Sequence, residues 1–122
     1  MKPGPDADRV YLAHMLECIA RIDEYVEGDE GKFRSSRLIQ DAVIRNLQTL
    51  AESSQRLSEV IKAGESQVPW RAISGFRNIL VHDYLGVDVD SVWQVVKREL
   101  PPLQAALARM RGEKQGTTVG QK

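Results

Sequence analysis

The chain holds little from which a covalent or metal scaffold could be made. Its one cysteine, Cys18, permits no intramolecular disulfide and no thiolate metal cage. It falls inside an apolar helical pattern and reads as core packing. The two histidines, His14 and His82, cannot form a zinc motif. Neither sign of charge prevails: lysine plus arginine and aspartate plus glutamate number 17 each. No global field therefore steers the molecule onto nucleic acid or anionic lipid, and any RNA contact must come from a local cluster. The opening Met1-Lys2-Pro3-Gly4-Pro5-Asp6 has no apolar run behind its positive charge, so neither a signal peptide nor a membrane span is expected. That predicts a protein of the reducing cytoplasm. Strand signals are missing too, apart from the short alternation Val87, Asp88, Val89, Asp90, and there is no internal repeat or low-complexity tract.

What the chain does have is helical periodicity. Leu12, Met15, Leu16, Ile19, Ile22 and Val26 recur at steps of three and four, which predicts a helix over 10–26, capped by Asp6 or Asp8 and ended by Gly28 to Gly31. Leu38, Ile39, Ala42, Val43, Leu47, Leu50, Leu57 and Ile61 keep the same spacing over 35–63, a single helix of about 40 Å. Val68-Pro69-Trp70 opens a third helix continued by Ile73, Phe76 or Arg77, and Leu80. Asp88 or Asp90 caps a fourth with Val92, Trp93, Val95, Val96 and Leu100, and Pro101-Pro102 must break or kink the chain before a short fifth helix with Leu103, Ala106, Leu107 and Met110. The expected fold is all-α, an up-and-down bundle of four main helices plus a short C-terminal helix, with residues 1–111 as one domain and 112–122 as a polar, flexible tail.

One segment breaks the pattern. Between Gly75 and Asp88, Arg77, Asn78, His82, Asp83 and Tyr84 crowd into a stretch otherwise fit for a core. Taken alone, an arginine and a histidine near a helix end are more often a cap and a surface ion pair than a site.

The order of these residues resembles a known family. Arg77, four intervening residues, His82, one residue and Tyr84 match the Arg-x4-His-x-Tyr signature of HepT-like proteins of the HEPN superfamily, with a polar residue, Asn78, after the arginine. The likeness extends over residues 8–107: Leu12-Ala13-His14-Met15-Leu16, Gln40-Asp41-Ala42-Val43-Ile44-Arg45-Asn46-Leu47, Val68-Pro69-Trp70 and Leu100-Pro101-Pro102-Leu103. Ala51-Glu52-Ser53 departs from the Gly-Glu-Ala of many relatives but keeps the glutamate. The resemblance implies a HEPN-like bundle and a metal-independent RNA endonuclease with no cofactor. It implies the toxin of a type VII toxin-antitoxin pair, with Arg77 and His82 catalytic, and Asn78, Asp83 and Glu52 supporting them. It implies a homodimer with motifs facing across the twofold axis. It also implies a minimal nucleotidyltransferase antitoxin of the MntA type as partner, which silences the toxin by transferring AMP to Tyr84.

The residue types suit RNA cleavage. RNA brings its own nucleophile, the 2′-hydroxyl, so the protein must supply a proton acceptor and donor together with positive charge on the phosphate. Histidine titrates near neutrality, and arginine presents a permanently charged fork matched to phosphate oxygens. Helical geometry adds a condition: at about 100° per residue His82 lies about 140° from Arg77, whereas Tyr84 lies within about 20° of it. Either the helix ends around Val81 and the chain turns His82 inward, or a second subunit completes the site.

Other features read more plainly. His14 is a packed or surface histidine, and Trp70 and Trp93 are spaced for the core. Lys32, Arg34, Arg37 and Arg45 form a basic cluster, read as a solvated face with an RNA or partner-phosphate contact left open. Glu52 is either a surface charge or an orienter of Arg77. Two competing functions remain at this stage: a non-catalytic nucleotide-binding accessory subunit of a minimal nucleotidyltransferase, and a purely structural dimerisation domain.

Overall fold

The computed structural model describes residues 4–82 and 88–112, and for 78–82 the backbone alone. The expected tail beyond Gly112 lies outside the described residues. Within them the fold is all-α, without a strand. Helix α1 spans Pro5–Val26, α2 Glu30–Ser35, α3 Arg37–Arg56, α4 Glu59–Ala63, α5 Trp70–His82 and α6 Val89–Gln94; a π turn over Val95–Glu99 then runs directly into α7, Leu100–Met110. Helix α3 is the central member, packed on α1 along one side and α5 along the other, and α7 closes on α1.

The buried rows are those the periodicity marks, except that Leu38, expected in the row of the second helix, is 79% exposed in the first turn of α3. Leu12, Met15, Ile19 and Ile22 of α1 face Val43, Leu47 and Leu50 of α3, and Leu100, Leu103 and Leu107 of α7 join them. Each such side chain, fully buried, contributes about 1.5–3 kcal/mol. Phe33 is wholly buried and packs its ring against Trp93 with centroids 5.3 Å apart. Cys18 is buried, and that burial pushes its thiol above the ordinary range, as suits a packed, unreactive side chain.

Three expectations about elements need correction. Helix α1 begins at Pro5 and has Gly4 at its N-cap without any side-chain cap; neither Asp6 nor Asp8 serves there. Asp8 is 5% exposed and its carboxylate accepts from the Ser58 backbone N–H at 2.8 Å and the Ser58 hydroxyl at 2.7 Å. At the other end of α1, Glu27 (φ 51°) and Gly28 (φ 67°) adopt left-handed conformations that stop the helix, while Gly31 belongs to α2.

The single long helix over 35–63 is instead three pieces. Ser36 is extended and its hydroxyl accepts from Ile39 N–H at 3.1 Å, starting α3 afresh. Gln40 Nε2 donates to the carbonyls of Phe33 and Arg34, both at 3.0 Å, groups that the end of α2 leaves without helical partners. Leu57 is extended again, and Ser58 caps α4 by accepting from Ile61 N–H at 3.3 Å. The apolar spacing ran through both breaks because Leu57 is still buried and Ile61 still packs on the core.

Of the expected break or kink at Pro101-Pro102, the break does not occur. The wider π turn at Val95–Glu99 precedes them, and both prolines occupy the start of α7, where a missing N–H and a bulky ring are tolerated. The expected fourth and fifth helices are therefore one continuous rod. Of the two candidate caps, Asp88 is the one used: its carboxylate accepts from the N–H groups of Asp90 and Ser91. The Ser91 hydroxyl and amide hold that carboxyl below the usual aspartate value. Helix α5 starts one residue after Pro69, with Trp70 Nε1 donating to the carbonyls of Lys62 and Glu65 at 3.2 and 3.1 Å. Trp70 is thus tied down at its polar edge, and Trp93 packs in the core, as expected.

Candidate functional site

Small residues bring α5 close to α3. Ala51 and Ser54 of α3 are fully buried; Ser54 Oγ donates to the Ala51 carbonyl at 2.7 Å and meets Ser74 Oγ of α5 at 3.3 Å. Bulkier side chains there would hold the helices apart. One turn beyond Ser74, Arg77 emerges at the seam, and its Nε lies 3.2 Å from Glu52 Oε2. The alternatives for Glu52 narrow to an ion pair with Arg77 across the α3/α5 seam. Its neighbours in Ala51-Glu52-Ser53 are both buried while Glu52 points outward, so the departure from the family's usual triplet falls on packing positions.

The two side chains are 49% and 56% exposed. An ion pair as wet as this contributes only about 0–1 kcal/mol to stability. The carboxylate lies at Nε, the stem of the guanidinium fork.

Helix α5 continues through His82. The turn near Val81 that would swing His82 toward Arg77 within one chain does not occur, and the backbone positions of 77 and 82 keep their helical separation of about 140°. The side chains of Asn78 and His82, and the whole of Asp83 and Tyr84, lie outside the described residues. Of the expected site, Arg77 and Glu52 are therefore the pair whose contact is seen.

The basic cluster at the start of the second run comes apart. Lys32 Nζ pairs with Glu27 at 2.7 Å, and Arg34 pairs with Glu30 at 2.7 Å and with Asp90 of α6 at 2.5 Å. These cations are neutralised within the fold. Arg45 is separated from them, exposed on α3 beside a groove against α1. His14 is exposed and meets Tyr11 edge to face at 6.2 Å. Among the described residues no three histidine, cysteine or acidic side chains cluster in a metal-binding arrangement, and no helix is long and apolar enough to cross a membrane.

Comparison with known proteins identifies the family. The family model described as ribonuclease HepT-like matches residues 15–110. A Methanocaldococcus jannaschii protein named "gamma-glutamylcyclotransferase and putative RNase" is 34% identical over 106 residues, covering 86% of this chain; the chain spans 48%, about half, of that relative's length. The "probable ribonuclease HepT" of Thermococcus cleftensis is 33% identical over 83% of this chain and 93% of its own length. The "mRNA nuclease HepT" of Shewanella oneidensis is 28% identical over 84% of this chain and 94% of its own. No solved structure gives a significant match. The matched span takes in the buried rows of α1 and α3, the Glu52–Arg77 seam and the whole rod after Asp88, and on that footing the chain belongs to the HepT-like family of ribonucleases.

Proposed function

We propose that this chain is the toxin of a type VII toxin-antitoxin pair, a metal-independent RNA endonuclease whose reacting groups are Arg77 and His82. The observation that carries the reading is the Glu52–Arg77 contact, which presents an oriented arginine at an exposed seam although the pair adds almost nothing to stability. His82 removes the 2′-hydroxyl proton, or a second His82 does so in a dimer. The 2′-oxygen bonds to phosphorus, the bond from phosphorus to the 5′-oxygen breaks, and that oxygen takes up a proton. The products are a 2′,3′-cyclic phosphate and a 5′-hydroxyl. Arg77 stabilises the negative charge that grows on the phosphoryl oxygens.

The angular separation of positions 77 and 82 on one unbroken helix favours a homodimer, in which Arg77 of one protomer and His82 of the other meet at one phosphate. The antitoxin partner is a minimal nucleotidyltransferase of the MntA type that transfers AMP to Tyr84. The test is cleavage of single-stranded RNA by purified protein in EDTA. Activity that falls strongly in both Arg77→Ala and His82→Ala is expected; cleavage undiminished in both variants overturns the assignment.

A further inference from the structure

A groove between α1 and α3, apart from the Glu52–Arg77 contact, sets several polar and charged side chains on a largely apolar floor. It is an open groove of about 450 Å³. Its α1 wall carries His14, Arg21 and Tyr25, and its α3 wall carries Arg45, Asn46 and Thr49. The two arginines come from opposite walls. Arg21 Nε is held by Glu17 at 3.0 Å, whereas Arg45 has no ion-pair partner among the described residues. Asn46 Nδ2 donates to the Ala42 carbonyl at 2.9 Å and Thr49 Oγ1 to the Arg45 carbonyl at 3.1 Å. Each of these bonds leaves acceptor capacity turned away from the helix backbone. The Glu17 carboxylate also lines the groove but is engaged by Arg21, so Arg45 is the cation there with no ion-pair partner among the described residues, beside an imidazole, a phenol and an amide.

The groove also has a direction. Arg45 and Glu52 are seven residues apart on α3, so they lie on the same face, displaced by about 10 Å along the axis. Glu52 holds Arg77. A single strand with one phosphate at Arg77 can run back along α3 and reach Arg45.

We propose that the α1/α3 groove is a subsite for a nucleotide of the RNA flanking the scissile phosphate. Arg45 and Arg21 hold the backbone phosphate, and Asn46, Thr49 and Tyr25 face the ribose and base. The inference rests on the ribonuclease reading above but concerns binding at a separate place. Phosphate contacts of this kind position a strand without selecting its sequence.

The experiment measures fluorescence anisotropy with a labelled 2′-O-methyl dodecamer of mixed sequence, which lacks the attacking hydroxyl and stays intact. Wild type is compared with Arg45→Ala, Arg21→Ala and, as control, Arg98→Ala on the exposed side of the π turn. Arg45→Ala is expected to weaken dodecamer binding about tenfold, with a shallower dependence on salt. A trinucleotide, too short to span both places, is expected to bind the variant as it binds wild type. Circular dichroism melts check that the exposed substitutions leave the fold intact. Dodecamer affinity equal to wild type in both groove variants overturns the proposal, and does so whether or not the protein cleaves RNA. Arg45-dependent binding by a protein without cleavage activity leaves the groove standing and removes the catalytic reading instead. AMP or ATP that binds wild type but not Arg45→Ala, with dodecamer affinity unchanged by the substitution, makes the groove a free-nucleotide site and overturns the RNA assignment.

Discussion

Asp8 and Ser58 stand 50 residues apart in sequence, yet the buried Asp8 carboxylate takes both the backbone N–H and the hydroxyl of Ser58. One aspartate on the first helix thereby closes the start of α4 and pins the break that ends α3. Truncating it leaves a partly buried amide and hydroxyl without partners, at a cost of about 1–3 kcal/mol. Asp8→Ala is expected to lower the melting temperature by several degrees. Asp6→Ala, which removes only an exposed pair with Arg9, should change stability by no more than about 0.5 kcal/mol. Equal melting curves for the two variants would remove Asp8 from the structural account.

Glu52 is expected to act on rate and not on stability. Replacing it with glutamine keeps size and removes the charge that orients Arg77, so RNA cleavage should fall about tenfold or more through kcat. Unfolding free energy should move by less than about 1 kcal/mol, given the exposure of the pair. Glu52→Asp should recover part of the rate. A glutamine variant with unchanged kcat would reduce the ion pair to a surface contact.

A site shared between protomers makes a stoichiometric prediction. Light scattering should return about twice the 13.7 kDa of the chain. Arg77→Ala and His82→Ala, each inactive alone, should regain about a quarter of wild-type activity after mixing and subunit exchange. Half of the dimers are then mixed, and each mixed dimer has one intact site out of two. Recovery of nothing, despite proven exchange, points to sites built within single chains.

Tyr84 provides the test of silencing. An adenylate on its hydroxyl would put a bulky anion two residues from His82, where steric blocking and like-charge repulsion oppose the substrate phosphate. Co-expression with a minimal nucleotidyltransferase of the MntA type should add one or more AMP masses to the peptide containing Tyr84. Tyr84→Phe should stay folded and escape neutralisation. The mechanism is wrong for this chain if the phenylalanine variant is silenced as fully as wild type, or if the adenylate maps elsewhere.

The sequence was most informative where contacts are local. The buried rows of α1, α3 and α7 follow from spacing, and a cap at Asp88 or Asp90 was narrowed to two neighbours, because each depends on residues within a few positions. It was least informative where a distant partner decides. Ser58 looks like a mid-helix serine until Asp8 arrives from α1, and the breaks at Ser36 and Leu57 are hidden because apolar positions stay in phase on either side. The Arg-x4-His spacing announced Arg77, but its link to Glu52 needs the approach of α5 to α3, set by Ala51, Ser54 and Ser74. Arg45 was grouped with Lys32, Arg34 and Arg37 by proximity along the chain; in the fold it lines the same groove as Arg21 of α1.

The π turn at Val95–Glu99 imposes a counting rule on the C-terminal rod. It admits one more residue per turn than an α-helix would, so the row beyond it is rotated by about 100°. Upstream, α6 presents Trp93 to Phe33 of α2; downstream, α7 presents its leucines to α1. One rod thus serves two neighbours, α2 before the π turn and α1 after it. Removing a single residue from 95–99 would restore a regular helix and turn Leu103 and Leu107 out of alignment with α1. Homologues that preserve this core are bound to preserve the length of that segment, even where its exposed residues, such as Lys97 and Arg98, are free to vary.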